Sequence, residues 1–151
     1  MPSGGPTWPR FARSWSTRSA TGTPDPGHDG PRRRERKRAR LDRAIDDDDD
    51  VAIAAVTAAE LFVGVELAEA RQRAGRAAFV DDLLQTLSVE DYTLTTARAH
   101  AHLLAATRGS GTPRGAHDLI IAATAISTER AVVTADLRGF SDLPGVDVRS
   151  V

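Results

Sequence analysis

A chain of 151 residues has room for one domain with a real core. Its net charge of −1 hides an asymmetry: residues 1–40 hold 10 basic and 3 acidic side chains, residues 41–151 hold 10 and 18. The absence of cysteine excludes disulfides, thiolate metal sites and a Cys nucleophile, and fits a reducing compartment. No stretch is apolar for long enough to span a membrane, and the N-terminus lacks the apolar region of a secretory signal.

Residues 1–40 contain no Leu, Ile or Val. Pro, Gly, Ser, Thr and Arg dominate, and such a segment cannot bury enough apolar surface to offset its ordering entropy. The sequence therefore predicts a disordered, basic segment over 1–40. The run Arg32–Arg38 reads as a solvated charge run rather than a phosphate-gripping arm. Five consecutive aspartates, Asp46 to Asp50, repel one another and predict an exposed loop.

The folded part begins at Val51. Val51–Val56 is an apolar run of strand length. Thr57 and Glu60 have the spacing of a capping box, opening a helix through Leu61, Phe62, Val65 and Leu67. A second helix is predicted over Arg71–Leu87, with Arg71, Arg73 and Arg76 as a basic patch at its start. Ser88–Tyr92 is a weak strand or turn. Thr95–Thr107 is a third helix, with Thr95 or Thr96 as cap. Arg108–Gly115 (RGSGTPRG) is a flexible loop by composition, with Arg108 and Arg114 available for phosphate.

A helix from about His117 to Thr128 follows, with an apolar stripe of Leu119, Ile120, Ala123 and Ile126. It leads directly into Ala131–Thr134, a run expected to be buried on both faces. Val146, Val148 and Val151 alternate as a final edge strand. Strands alternating with helices predict an α/β fold with a mostly parallel, doubly wound sheet flanked by helices.

Three carboxylates fall at element junctions. Glu60 lies where the first strand gives way to a helix, Asp118 in the first turn of a later helix, and Asp136 just past the end of a strand. Each has an ordinary explanation: helix capping for Glu60, dipole complementation for Asp118 and turn formation for Asp136. Together they form an oxygen-only set at the edge where open α/β sheets build their sites. Such a set suits Mg²⁺ or Mn²⁺, and such ions activate water and stabilise charge on a phosphoryl oxygen. There is no Gly-rich phosphate loop and no nucleophile elbow.

Three segments, VTAAEL with Gly64-Val65, GAHDLIIAA and TADLRGF, resemble in order and separation the PIN domain, in particular the VapC toxins of bacterial toxin–antitoxin pairs. The likeness covers about residues 41–151. It implies a PIN-like doubly wound α/β domain and a Mg²⁺-dependent endoribonuclease acting in the cytoplasm. It also implies an RNA substrate, a cognate antitoxin that occludes the site, and a homodimer. By motif position Glu60, Asp118 and Asp136 match the family's acidic residues, as catalytic and metal-binding groups. The family also opens on an apolar central strand ending in Asp, and nothing in residues 1–40 matches it. Asp25 and Asp29 lie among Pro and Gly. That composition is what a GC-rich gene yields out of frame. The sequence thus predicts either a toxin-type ribonuclease or an inactive remnant that at most binds an antitoxin. The chain as written is expected to cleave poorly or not at all and to be marginally stable, with unpaired backbone beside the missing strand.

Overall fold

A computed structural model of the chain describes residues 10–12, 39, 43–46 and 48–151. Among the described residues, five parallel strands form one sheet in the order β3-β2-β1-β4-β5. They are β1 (Arg10–Ala12), β2 (Val51–Ala54), β3 (Ser88–Glu90), β4 (Ala131–Thr134) and β5 (Val148–Ser150). Among the described residues, four helices lie between β2 and β4 in the chain: α1 (Ala55–Glu66), α2 (Ala70–Thr86), α3 (Leu94–Gly109) and α4 (Ala116–Ser127). The doubly wound α/β architecture expected from sequence is the one observed.

The centre of the sheet differs from expectation. The sequence predicts no strand before Val51, yet Arg10–Ala12 lies between β2 and β4, with Arg10 in register with Val51 and Ala131. Parallel pairing is made by backbone groups, so two flanking strands can recruit a three-residue segment that has no aliphatic signature. The unpaired backbone expected beside β2 and β4 is therefore paired along this short segment. The rest of the predicted disordered region, apart from residue 39, lies outside the described residues. In sequence Arg13, not Asp, follows β1.

β4 is buried at all four positions, as its unbroken apolar run requires. α4 packs nearly all round: Leu119, Ile121, Ala122, Ala123 and Ala125 are buried with Ala52, Ala54, Leu103 and Val132 in the core. Its small residues allow close approach, and the Thr96 and Ser127 hydroxyls join α3 to α4 at 2.9 Å.

Helix starts differ in detail. The predicted capping box is not formed: α1 begins at Ala55, directly after β2, with Ala54 as a cap that has no side-chain bond. Thr57 is thus inside the helix and its Oγ1 is buried without a partner among the described residues. The strand runs straight into the helix, leaving no turn in which a Thr could cap. α3 starts earlier than expected, with the Thr93 hydroxyl accepting from Thr96 N at 3.3 Å. The basic residues opening α2 serve its neighbour. Arg73 donates to the Glu66 carbonyl at 2.9 Å and Arg76 to the Gly64 carbonyl at 3.0 Å. The helical hairpin brings these cations to the negative end of α1.

Candidate active site

In a doubly wound sheet the crevice outside the carboxyl ends of the strands is where ligands bind. β2 delivers its chain into α1 and so to Glu60, and β4 delivers Asp136. The Asp136 amide donates to Thr134 Oγ1 at 3.0 Å, and Asp136 Oδ1 accepts from Arg138 N at 3.1 Å. These bonds start a 3-10 turn, Leu137–Gly139. Phe140, 1% exposed, and Leu143 root the following residues in the core. The acidic loop is therefore anchored at both ends.

Asp118 lies in the first turn of α4. Its carboxylate is seated between two glycines from different segments. A Cβ added at Gly115 would stand 2.9 Å from Asp118 Oδ2, and one added at Gly139 only 2.7 Å from it. Neither glycine has the positive φ that would itself demand Gly. The two positions are small because the carboxylate occupies the space. This contact brings the start of α4 onto the turn that follows Asp136.

Glu60, largely buried, accepts a hydrogen bond from His117 Nδ1 at 2.6 Å, while His117 itself is half exposed. This pair ties α1 to the first turn of α4. His117 stands next to Asp118 in the chain, so Glu60 is linked to Asp118 through adjacent residues. In sequence His117 marks a helix start within the GAHDLIIAA segment, and nothing in its spacing shows that it reaches 57 residues back to Glu60.

Arg114 corrects another expectation. Rather than being available for phosphate, it donates to the Arg138 carbonyl at 2.6 Å and to the Ser141 carbonyl at 2.9 Å. It straps the loop before α4 to the turn after β4. A composition of Gly, Ser, Thr, Pro and Arg reads as a loose loop, and the long-range bonds that hold it leave no mark in sequence.

The donor chemistry of Glu60, Asp118 and Asp136 suits a hard divalent cation. Their arrangement is less favourable. Among the described residues, no three His, Cys, Asp or Glu side chains are gathered closely enough to hold a metal ion. The three carboxylates share one edge of the fold without forming one assembled ligand set there.

A family model described as the PIN domain matches residues 29–146. The chain belongs to the PIN-domain family. This PIN domain is 34% identical over 98 residues to the tRNA(fMet)-specific endonuclease VapC of Salmonella typhimurium, covering 65% of this chain and 73% of that protein. Among solved structures it resembles the DNA-bound VapBC of Salmonella typhimurium, with a TM-score of 0.63, 32% identity, and 66% of this chain and 74% of that chain covered. VapBC-5 of Mycobacterium tuberculosis gives a TM-score of 0.60, 32% identity, and coverage of 67% and 82%. The resemblance read from the three sequence segments is thus the family to which the chain belongs.

Proposed function

We propose that this chain is a VapC-type endoribonuclease domain with a weakened site: it hydrolyses RNA phosphodiester bonds slowly and is neutralised by a cognate antitoxin. The observation that carries this reading is the seating of the Asp118 carboxylate between Gly115 and Gly139. Two separate segments are shaped around one carboxylate at the edge where this fold binds ligands. The Salmonella relative is an endonuclease specific for tRNA(fMet), which supports RNA as the substrate class. Mg²⁺ or Mn²⁺ is the cofactor that the donor chemistry suggests, and it would supply water activation and charge stabilisation at phosphorus. The described residues do not by themselves gather three donors for such an ion.

The chain's own residues orient and exclude. Arg114 and Phe140 hold the Asp136 turn, Gly115 and Gly139 fit around Asp118, and His117 fixes one oxygen of Glu60. For the antitoxin, the helical hairpin offers exposed Phe62, Val63 and Leu67 at α1 and Phe79 on α2. An uncovered set of large apolar side chains marks a protein-binding surface. Homodimerisation and a cytoplasmic setting belong to the same proposal; among the described residues no helix is long and apolar enough to cross a membrane.

A second reading, an inactive remnant that binds an antitoxin, is favoured by one observation. The central strand is followed in sequence by Arg13 where the family pattern places an Asp. Calorimetric titration with Mn²⁺ of the unmodified chain and Asp118→Asn separates the two. The nuclease reading expects measurable binding that the substitution weakens sharply. Equal binding by both proteins, or none by either, would favour the remnant.

A further inference from the structure

We infer that Arg114 is the positioning residue of this site: by holding the turn after β4 it presses Gly139 onto the Asp118 carboxylate and so sets where that carboxylate sits. The inference deepens the nuclease reading and rests on it for its functional consequence. The geometry is specific. The guanidinium takes one carbonyl from within the 3-10 turn, Arg138, and a second from just beyond it, Ser141. These acceptors lie 24 and 27 residues along the chain, so the contact is tertiary rather than local.

Between the two acceptors lie Gly139, which abuts Asp118, and Phe140, which is buried in the core. Phe140 anchors the turn from below by apolar burial. Arg114 fixes it laterally by two charge-assisted bonds, which are stronger than neutral ones. Arg114 also immediately precedes Gly115, the other glycine against Asp118. One side chain therefore draws together both walls of the carboxylate seat. Lys could not reproduce this, because the planar fork of guanidinium reaches two acceptors in fixed directions and an ammonium does not.

The test compares Arg114→Ala and Arg114→Lys with Arg98→Ala, a control at an exposed position on α3. Three readouts are taken on the full chain: amide exchange of Arg138 to Ser141, the side-chain carboxyl carbon-13 shift of Asp118, and Mn²⁺ affinity. Arg114→Ala is expected to speed exchange at these amides about tenfold or more while leaving β4 and the core of α4 protected. It is expected to move the Asp118 carboxyl signal and to weaken Mn²⁺ binding, with Arg114→Lys intermediate and Arg98→Ala unchanged. Unchanged exchange in Arg114→Ala would overturn the inference. So would loosening spread evenly over the fold, or an Asp118 signal that stays in place while the turn loosens. If the unmodified chain binds no Mn²⁺, the nuclease reading fails on its own account, and exchange and the Asp118 signal still decide the role of Arg114.

Discussion

Replacing Gly139 by Ala isolates the contact on which the site is built. The added Cβ would lie 2.7 Å from Asp118 Oδ2 and 3.0 Å from its Cγ, whereas ordinary contact begins at 3.4 Å, so the carboxylate or the turn must yield by about 0.7 Å. The turn is held by Arg114 and by buried Phe140, and Asp118 has a short side chain on the first turn of a buried helix. The displacement therefore falls mainly on the carboxylate. Misplacing a reacting group by about 1 Å can cost on the order of 100-fold in rate, so about tenfold or more is expected here. Global stability should change little, since alanine meets no forbidden backbone conformation at this position. The assay is the initial rate of RNA cleavage in Mn²⁺, read beside the thermal midpoint. An unchanged rate would refute the steric argument. A rate loss matched by collapse of the thermal midpoint would show general unfolding in place of a displaced carboxylate.

Gly64→Ala is the contrasting case. Its Cβ would meet nothing within 4 Å and it lies inside α1, so chemical denaturation should show a gain of up to about 1 kcal/mol with cleavage unaltered. Leu103, fully buried in the core, should cost about 2–5 kcal/mol when cut to Ala, read by the same denaturation. Replacing residues 1–40 by an apolar strand ending in Asp-Thr should raise thermal stability and Mn²⁺ affinity together, because it supplies both a longer central strand and an oxygen donor at its end.

The parts of the fold that were legible in sequence are those written by periodicity. The Ala131–Thr134 run announces a strand buried on both faces, and the structure gives those same four residues. The small and aliphatic residues of α4 likewise announce a helix enclosed by the core. Motif order points to Glu60, Asp118 and Asp136; the structure has Asp118 in the first turn of α4 and Asp136 just past β4, but Glu60 midway along α1. What was not legible depends on contacts distant in sequence. β1 is a strand because β2 and β4 offer it backbone partners, not because Arg-Phe-Ala has strand character. Arg114 looks like an idle cation until its two carbonyl partners are seen. Thr57 matches a capping signature, yet the direct passage of β2 into α1 leaves it no N-terminus to cap. His117 and Glu60 meet only because α1 and α4 are neighbours in the fold.

The most direct test of the proposed function is cleavage of an RNA panel, tRNA included, by the unmodified chain and by Asp118→Asn in Mg²⁺ and in Mn²⁺. A weakened nuclease predicts slow cleavage at defined positions that disappears in Asp118→Asn and is suppressed by chelation of the metal. Cleavage that is equal in the two proteins, or absent from both at saturating Mn²⁺, would contradict it.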